Sequence, residues 1–135
     1  YAIHGEPEFA PLFDLLADGN KIWCERAGAL IVVLSQSVLD NGRPNPTHSF
    51  DAGAAWMSLA LQGSAMGLHV HGMAGFDAQR ARGVLDLPEN LAVNIMIAVG
   101  HPGNLEDLPE KLREREQPNG RRPVKELIFK GRYPR

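Results

Sequence analysis

Apolar residues along this chain switch between helical and strand spacing, and the switches divide it into elements. Phe9, Leu12, Phe13, Leu15 and Leu16 recur at helical spacing, and Pro7 stands where a helix can begin, so residues 7–18 read as a helix. Asp18, Gly19 and Asn20 supply turn chemistry at its end. A second, short helix runs through Ile22, Trp23 and Arg26. Ala29–Leu34 is then an unbroken, β-branched apolar run, the pattern of a strand covered on both faces.

A loop rich in breakers, Asp40 to Pro46, precedes the longest periodic segment, a helix from about Ser49 to Met66. Ser49 or His48 stands near its cap, and Asp51 in its first turn complements the exposed N–H groups there. Gly67 is placed to end it in a left-handed conformation. Residues 68–73 read as a short extended segment, and Asp77 as the cap of a helix reaching about Leu85, ahead of Pro88. Residues 91–99 read as a second core strand, 108–116 as a polar helix, 117–123 as a loop. Residues 124–130 read as a last strand with Leu127 and Phe129 on one face. The pattern predicts one α+β domain over residues 1–135, a central β-sheet flanked by helices, with a basic C-terminal arm.

The helix over 49–66 carries Ala52, Gly53, Ala54, Ala55, Ala60, Gly63 and Ala65, which permit close approach around much of its circumference. With so little polar surface it should be buried, in a plain core or against a partner subunit. Asp51, Gln62 and two serines argue against a lipid-facing span.

Charge and cysteine content narrow the picture. Net charge is −2, but residues 111–135 hold nine basic and three acidic side chains, so the arm is strongly basic and the rest acidic. That asymmetry suits an anionic partner or a docked tail. A basic patch without interleaved aromatics is a poor nucleic-acid surface. The single cysteine, Cys24, rules out an internal disulfide, suits a reducing compartment such as the cytoplasm, and reads as a buried structural thiol.

Candidate chemistry is sparse. His69 and His71 would share one face of an extended segment, but a zinc site needs further ligands, and His48, His101 and Cys24 lack ligand spacing. No metal site, nucleophile or acid–base pair is assigned, and carboxylate pairs such as Glu106 and Asp107 look solvated. The turn Gly72-Met73-Ala74-Gly75-Phe76, between a strand and a capped helix, could admit unusual dihedrals and close backbone approach to a flat ligand. Arg121 and Arg122 could grip a phosphate, although a solvated basic loop would look the same.

Taken in order, Trp23 with the Ala-Leu-Ile-Val-Val strand, the helix SFDAGAAWMSLALQ, the turn GLHVHGMAGFD, the run IAVGHPG and the segment LPEKLREREQPNGRRPVKELI resemble a nitroreductase-family flavoprotein over its C-terminal two-thirds. The resemblance implies an α+β, intertwined homodimer that binds FMN at the subunit interface. It implies NAD(P)H as co-substrate and ping-pong hydride transfer to nitro, quinone or similar small-molecule acceptors, the cofactor carrying the reaction. Gly72, Met73, Ala74 and Gly75 match the turn beside the isoalloxazine ring, and Arg121 and Arg122 match the pair that holds the FMN phosphate, with Lys111 and Arg113 as alternatives. Some relatives carry a glutamate where this chain has Ala74. Family members usually begin with an Arg-Arg-Ser segment that binds phosphate and flavin, then a stretch ending in Pro-Trp; Tyr1 matches a point just after it. The alternative expectation is therefore a truncated, non-enzymatic dimeric module of the same fold that does not hold flavin.

Overall fold

A computed structural model of the chain describes residues 1–133. It divides into two units, Tyr1–Pro102 and Gly103–Arg135. Arg135, counted in the basic arm, lies outside the described residues.

The first unit is built on a four-stranded sheet in which every neighbouring pair is antiparallel. The strands are β1 (Ala2–Ile3), β2 (Ala29–Gln36), β3 (His69–Met73) and β4 (Leu91–Gly100), in spatial order β1-β2-β4-β3. Its helices are α1 (Phe9–Phe13), α2 (Asp18–Cys24), α3 (His48–Ala65) and α4 (Ala78–Val84). The expected central β-sheet flanked by helices is present.

Alternation along the strands gives the sheet two different faces. Leu30, Met73, Met96 and Ala98 point to the side where Phe9, Leu12, Leu15, Leu16, Cys24 and Ala81 complete the buried core. The opposite side carries α3, which packs on β2, β3 and β4. In β2 only Leu30 is fully buried, so the expectation of a strand covered on both faces holds only in part within one chain.

The pairing of β2 with β4 slips between Val33 and Leu34, whose partners are Ile95 and Val93. Asn94 is the extra residue of this β-bulge. Its Nδ2 donates to Ser35 Oγ at 2.7 Å, and Ser35 Oγ lies 2.8 Å from His48 Nδ1, tying the start of α3 to the sheet.

Several expected boundaries move. Residues 7–18 form only the short α1, because tight turns (Leu15 N to Leu12 O, Leu16 N to Phe13 O) bring both leucines into the core. The cap of α3 is Thr47, whose carbonyl accepts from Asp51 N at 3.0 Å, instead of His48 or Ser49. Two details follow the sequence closely: Gly67 ends the helix at φ 76°, and Asp77 Oδ1 accepts from Arg80 N at 2.8 Å to cap α4.

The burial expected of α3 is met on one side within a single chain. Only Gly63 is buried; Phe50 is 79% exposed, Leu61 66% and Met66 64%. One helix on a sheet buries one side of itself, and the apolar opposite side of α3 is uncovered within a single chain.

The second unit holds short turns. Residues 108–116 contribute only α5 (Glu110–Arg113). The expected strand over 124–130 is not formed. Val124–Glu126 is a 3-10 turn, closed by Glu126 N to Pro123 O at 2.9 Å, and no β-strand occurs among the described residues beyond Gly100. A strand without a partner leaves its backbone groups unpaired, and the turn satisfies them locally.

Candidate functional site

The turn after β3 is the feature on which the candidate chemistry converges. Met73 is buried at 2% exposure and anchors the end of the strand in the core, while Ala74 and Gly75 are exposed. The Gly75 carbonyl accepts from Ala17 N and from Asn20 Nδ2, each at 2.9 Å, and Phe76 N bonds back to Ala74 O at 3.0 Å. Asp77 N donates to Leu15 O at 2.9 Å, beside an isolated antiparallel bridge between Leu16 and Phe76. The turn is thereby strapped to the segment joining α1 and α2.

The backbone donors that remain are the amides of Ala74 and Gly75, which have no hydrogen-bond acceptor among the described residues. Two adjacent N–H groups of exposed residues at the edge of a sheet can receive a planar ligand that carries acceptors on one edge.

The unusual dihedrals expected of the two glycines are not found. Neither Gly72 nor Gly75 adopts a positive φ. Each is small because a side chain of the protein occupies its space. A Cβ on Gly72 would lie 3.0 Å from Trp56 Cζ2 and 3.1 Å from Ile95 Cδ1, and one on Gly75 would lie 2.8 Å from Asn20 Nδ2. Gly72 thus admits the indole of α3, and Gly75 admits the carboxamide of α2.

Trp56 lies beside a small, half-open cavity lined by Val33, Ser49, Ala52, Gly53, Asn94 and Ile95. Its Nε1 is buried without a hydrogen-bond partner among the described residues.

Other candidates fall as follows. Cys24 is fully buried, and its thiol points at Met73 Sδ across 3.4 Å. Desolvation pushes that thiol up to about 12, so it stays protonated and unreactive at neutral pH, in keeping with a structural role. His71 packs edge-on against Trp23, ring centroids 4.8 Å apart. Among the described residues no three His, Cys, Asp or Glu side chains cluster as a metal site, and no helix is long and apolar enough to cross a membrane.

Arg121 and Arg122 lie in the second unit, both exposed, with Arg121 Nη1 donating to Asn119 Oδ1 at 2.8 Å. Lys111 and Arg113 belong to α5 of the same unit. Gly72, Met73, Ala74 and Gly75 belong together in the first. Sequence reading passed over Asn20 and Ala17, which hold the turn. The only signal was the Asp18-Gly19-Asn20 cluster, which read as a helix ending.

Comparison with known proteins identifies the family. Residues 5–101 match the model of the nitroreductase family, and the chain belongs to that family. Among solved structures it is similar to an oxidoreductase containing FMN, at 37% identity and TM-score 0.93, covering 98% of this chain and 69% of that one. It also resembles a nitroreductase family protein from Streptococcus pneumoniae at 18% identity and TM-score 0.68, over 93% of this chain and 75% of that one, a likeness of fold alone. An uncharacterized 15.4 kDa protein of Mycolicibacterium smegmatis is 33% identical over 129 residues, 93% of this chain and 84% of its own length.

Proposed function

We propose that this protein is an FMN-dependent oxidoreductase that works as a homodimer, with NAD(P)H as reductant and nitro, quinone or similar small molecules as acceptors. The observation that carries the reading is the turn after β3, where the amides of the exposed Ala74 and Gly75 have no acceptor among the described residues. It is supported by the 37% identity to an FMN-containing oxidoreductase over nearly the whole chain.

The donor set fits the cofactor. A flavin ring is flat and presents carbonyl and nitrogen acceptors along one edge, which the two amides would bind. Gly72, Met73, Ala74 and Gly75 would form the backbone wall beside the ring. Arg121 and Arg122 would hold the phosphate through charge-assisted hydrogen bonds. When bound, FMN would supply the redox chemistry, a ping-pong transfer of hydride from nicotinamide and of electrons to the acceptor. The chain's own work is to bind, orient and shield. The strapped turn would hold its amide donors to the ring, the buried Met73 would anchor that turn in the core, and the buried Cys24 thiol adds no competing nucleophile.

The uncovered apolar side of α3, with Phe50, Met57, Leu61 and Met66, supports assembly with a second copy. A cytoplasmic location suits the lone buried thiol. An absorbance spectrum of the purified protein, alone and after adding FMN, tests the reading. Bound flavin gives visible bands that survive gel filtration. A protein that runs as a dimer yet retains no FMN would be a non-enzymatic module of the same fold.

A further inference from the structure

One face of α2 is matched to one face of β3 and the turn beyond it. In the helix Asn20, Trp23 and Cys24 stand at i, i+3 and i+4 and share a side. Along the strand direction His71, Met73 and Gly75 follow one another at every second residue. Trp23 meets His71 at 4.8 Å, Cys24 Sγ meets Met73 Sδ at 3.4 Å, and Asn20 Nδ2 meets the Gly75 carbonyl at 2.9 Å. Of these three contacts only the last acts on the backbone of the turn.

We propose that Asn20 is a positioning residue for the cofactor turn: its carboxamide holds the Gly75–Phe76 peptide, whose N–H donates to the Ala74 carbonyl at 3.0 Å and so steadies the Ala74–Gly75 peptide that carries the Gly75 amide. The inference rests on the FMN reading above and names a residue through which that site is held.

Both acceptor directions of the Gly75 carbonyl are used, one by Ala17 N and one by Asn20 Nδ2. Rotation of that peptide must break both bonds. Only the amide nitrogen of Asn20 can face a carbonyl, so its orientation is set by the partner. The fit is reciprocal, because a Cβ at position 75 would lie 2.8 Å from Asn20 Nδ2 and push the carboxamide away. Removing the donor and adding the methyl should therefore loosen the turn in the same way.

The test compares Asn20→Ala, Asn20→Asp (similar shape, no donor) and Gly75→Ala with the unmodified protein. The readouts are the FMN dissociation constant by fluorescence quenching, the visible band of bound FMN, and amide hydrogen exchange at Asp77, which bonds across the turn to Leu15 O. A lost hydrogen bond predicts roughly fivefold to tenfold weaker FMN binding in all three variants. It also predicts a shifted visible band, which a loss of global stability alone would not produce, and faster exchange at Asp77. Affinity within twofold of the unmodified protein with an unshifted band overturns the inference, as does unchanged exchange at Asp77 in Asn20→Ala. If the unmodified protein binds no FMN, the flavin reading fails, while exchange at Asp77 still decides whether Asn20 holds the turn.

Discussion

Adding one methyl group at Gly63 tests the contact between α3 and β3 that gives the sheet its second layer. An ideal Cβ there would lie 2.4 Å from Val70 Cγ2, more than an ångström inside ordinary carbon contact. Val70 is β-branched and stiff, so its methyl cannot swing aside and the helix must shift. Overpacking of this kind costs about 1–3 kcal/mol, whereas replacing glycine by alanine inside a helix contributes about 1 kcal/mol in the other direction. An overlap of more than an ångström puts the cost at the upper end of that range, so the expected net effect of Gly63→Ala is a destabilisation of about 1–2 kcal/mol, a fall in Tm of roughly 3–10 °C for a chain of this size. Urea and thermal unfolding followed by circular dichroism measure it. Gly83 in α4 is the matched control, since a Cβ there meets nothing within 4 Å, and Gly83→Ala should stabilise by roughly 0.5 kcal/mol. Adding Val70→Ala to Gly63→Ala removes the clashing methyl, so the double variant should be more stable than the sum of the single effects by at least about 0.5 kcal/mol. A Gly63→Ala protein as stable as the parent, or purely additive effects, would refute the packing argument.

Three further outcomes are expected. Asp77→Ala removes the cap bond to Arg80 N and should cost about 1 kcal/mol, while Asp77→Asn should cost little; chemical denaturation separates them. The buried Cys24 thiol, raised from 9.0 to about 12, keeps its proton in the folded protein after the unfolded chain has lost it. Its contribution to stability is full below about pH 9 and declines as pH rises toward about 12, and folded protein should resist alkylation at pH 8 until denaturant is added. Replacing Arg121 and Arg122 together by alanine should weaken FMN binding at least about tenfold while riboflavin, which lacks the phosphate, binds as before; equal losses for both ligands would count against a phosphate grip.

Much of the fold could be read from residue patterns because local signals and tertiary demands agree there. The β-branched run at 29–34, the alternation at 91–99, the long apolar helix, Gly67 and the Asp77 cap all lie where the pattern puts them. The reading failed where a partner decides the outcome. Leu127 and Phe129 have strand-like spacing, but no neighbouring strand receives them among the described residues. Apolarity marks α3 for burial in a core or against a partner, and one chain covers its sheet-facing side. The two-residue β1 carries no periodic signal at all and forms because Ala2 and Ile3 find Leu30 and Ala29 across the sheet edge.

The candidate site was legible in part for the same reason. A glycine-bracketed turn between strand and helix is visible in the residues, but what fills the space beside each glycine is set by long-range contacts. Trp56 and Asn20 lie 16 and 55 positions from the glycines they meet, distances over which one sequence carries no pairing information.

Titration of the purified protein with FMN tests the central claim most directly. Saturable quenching of flavin fluorescence, with one FMN bound per chain and visible absorbance that co-migrates with the protein, is the predicted result. No quenching in excess of free-ligand controls, from protein that is folded by circular dichroism, would contradict it.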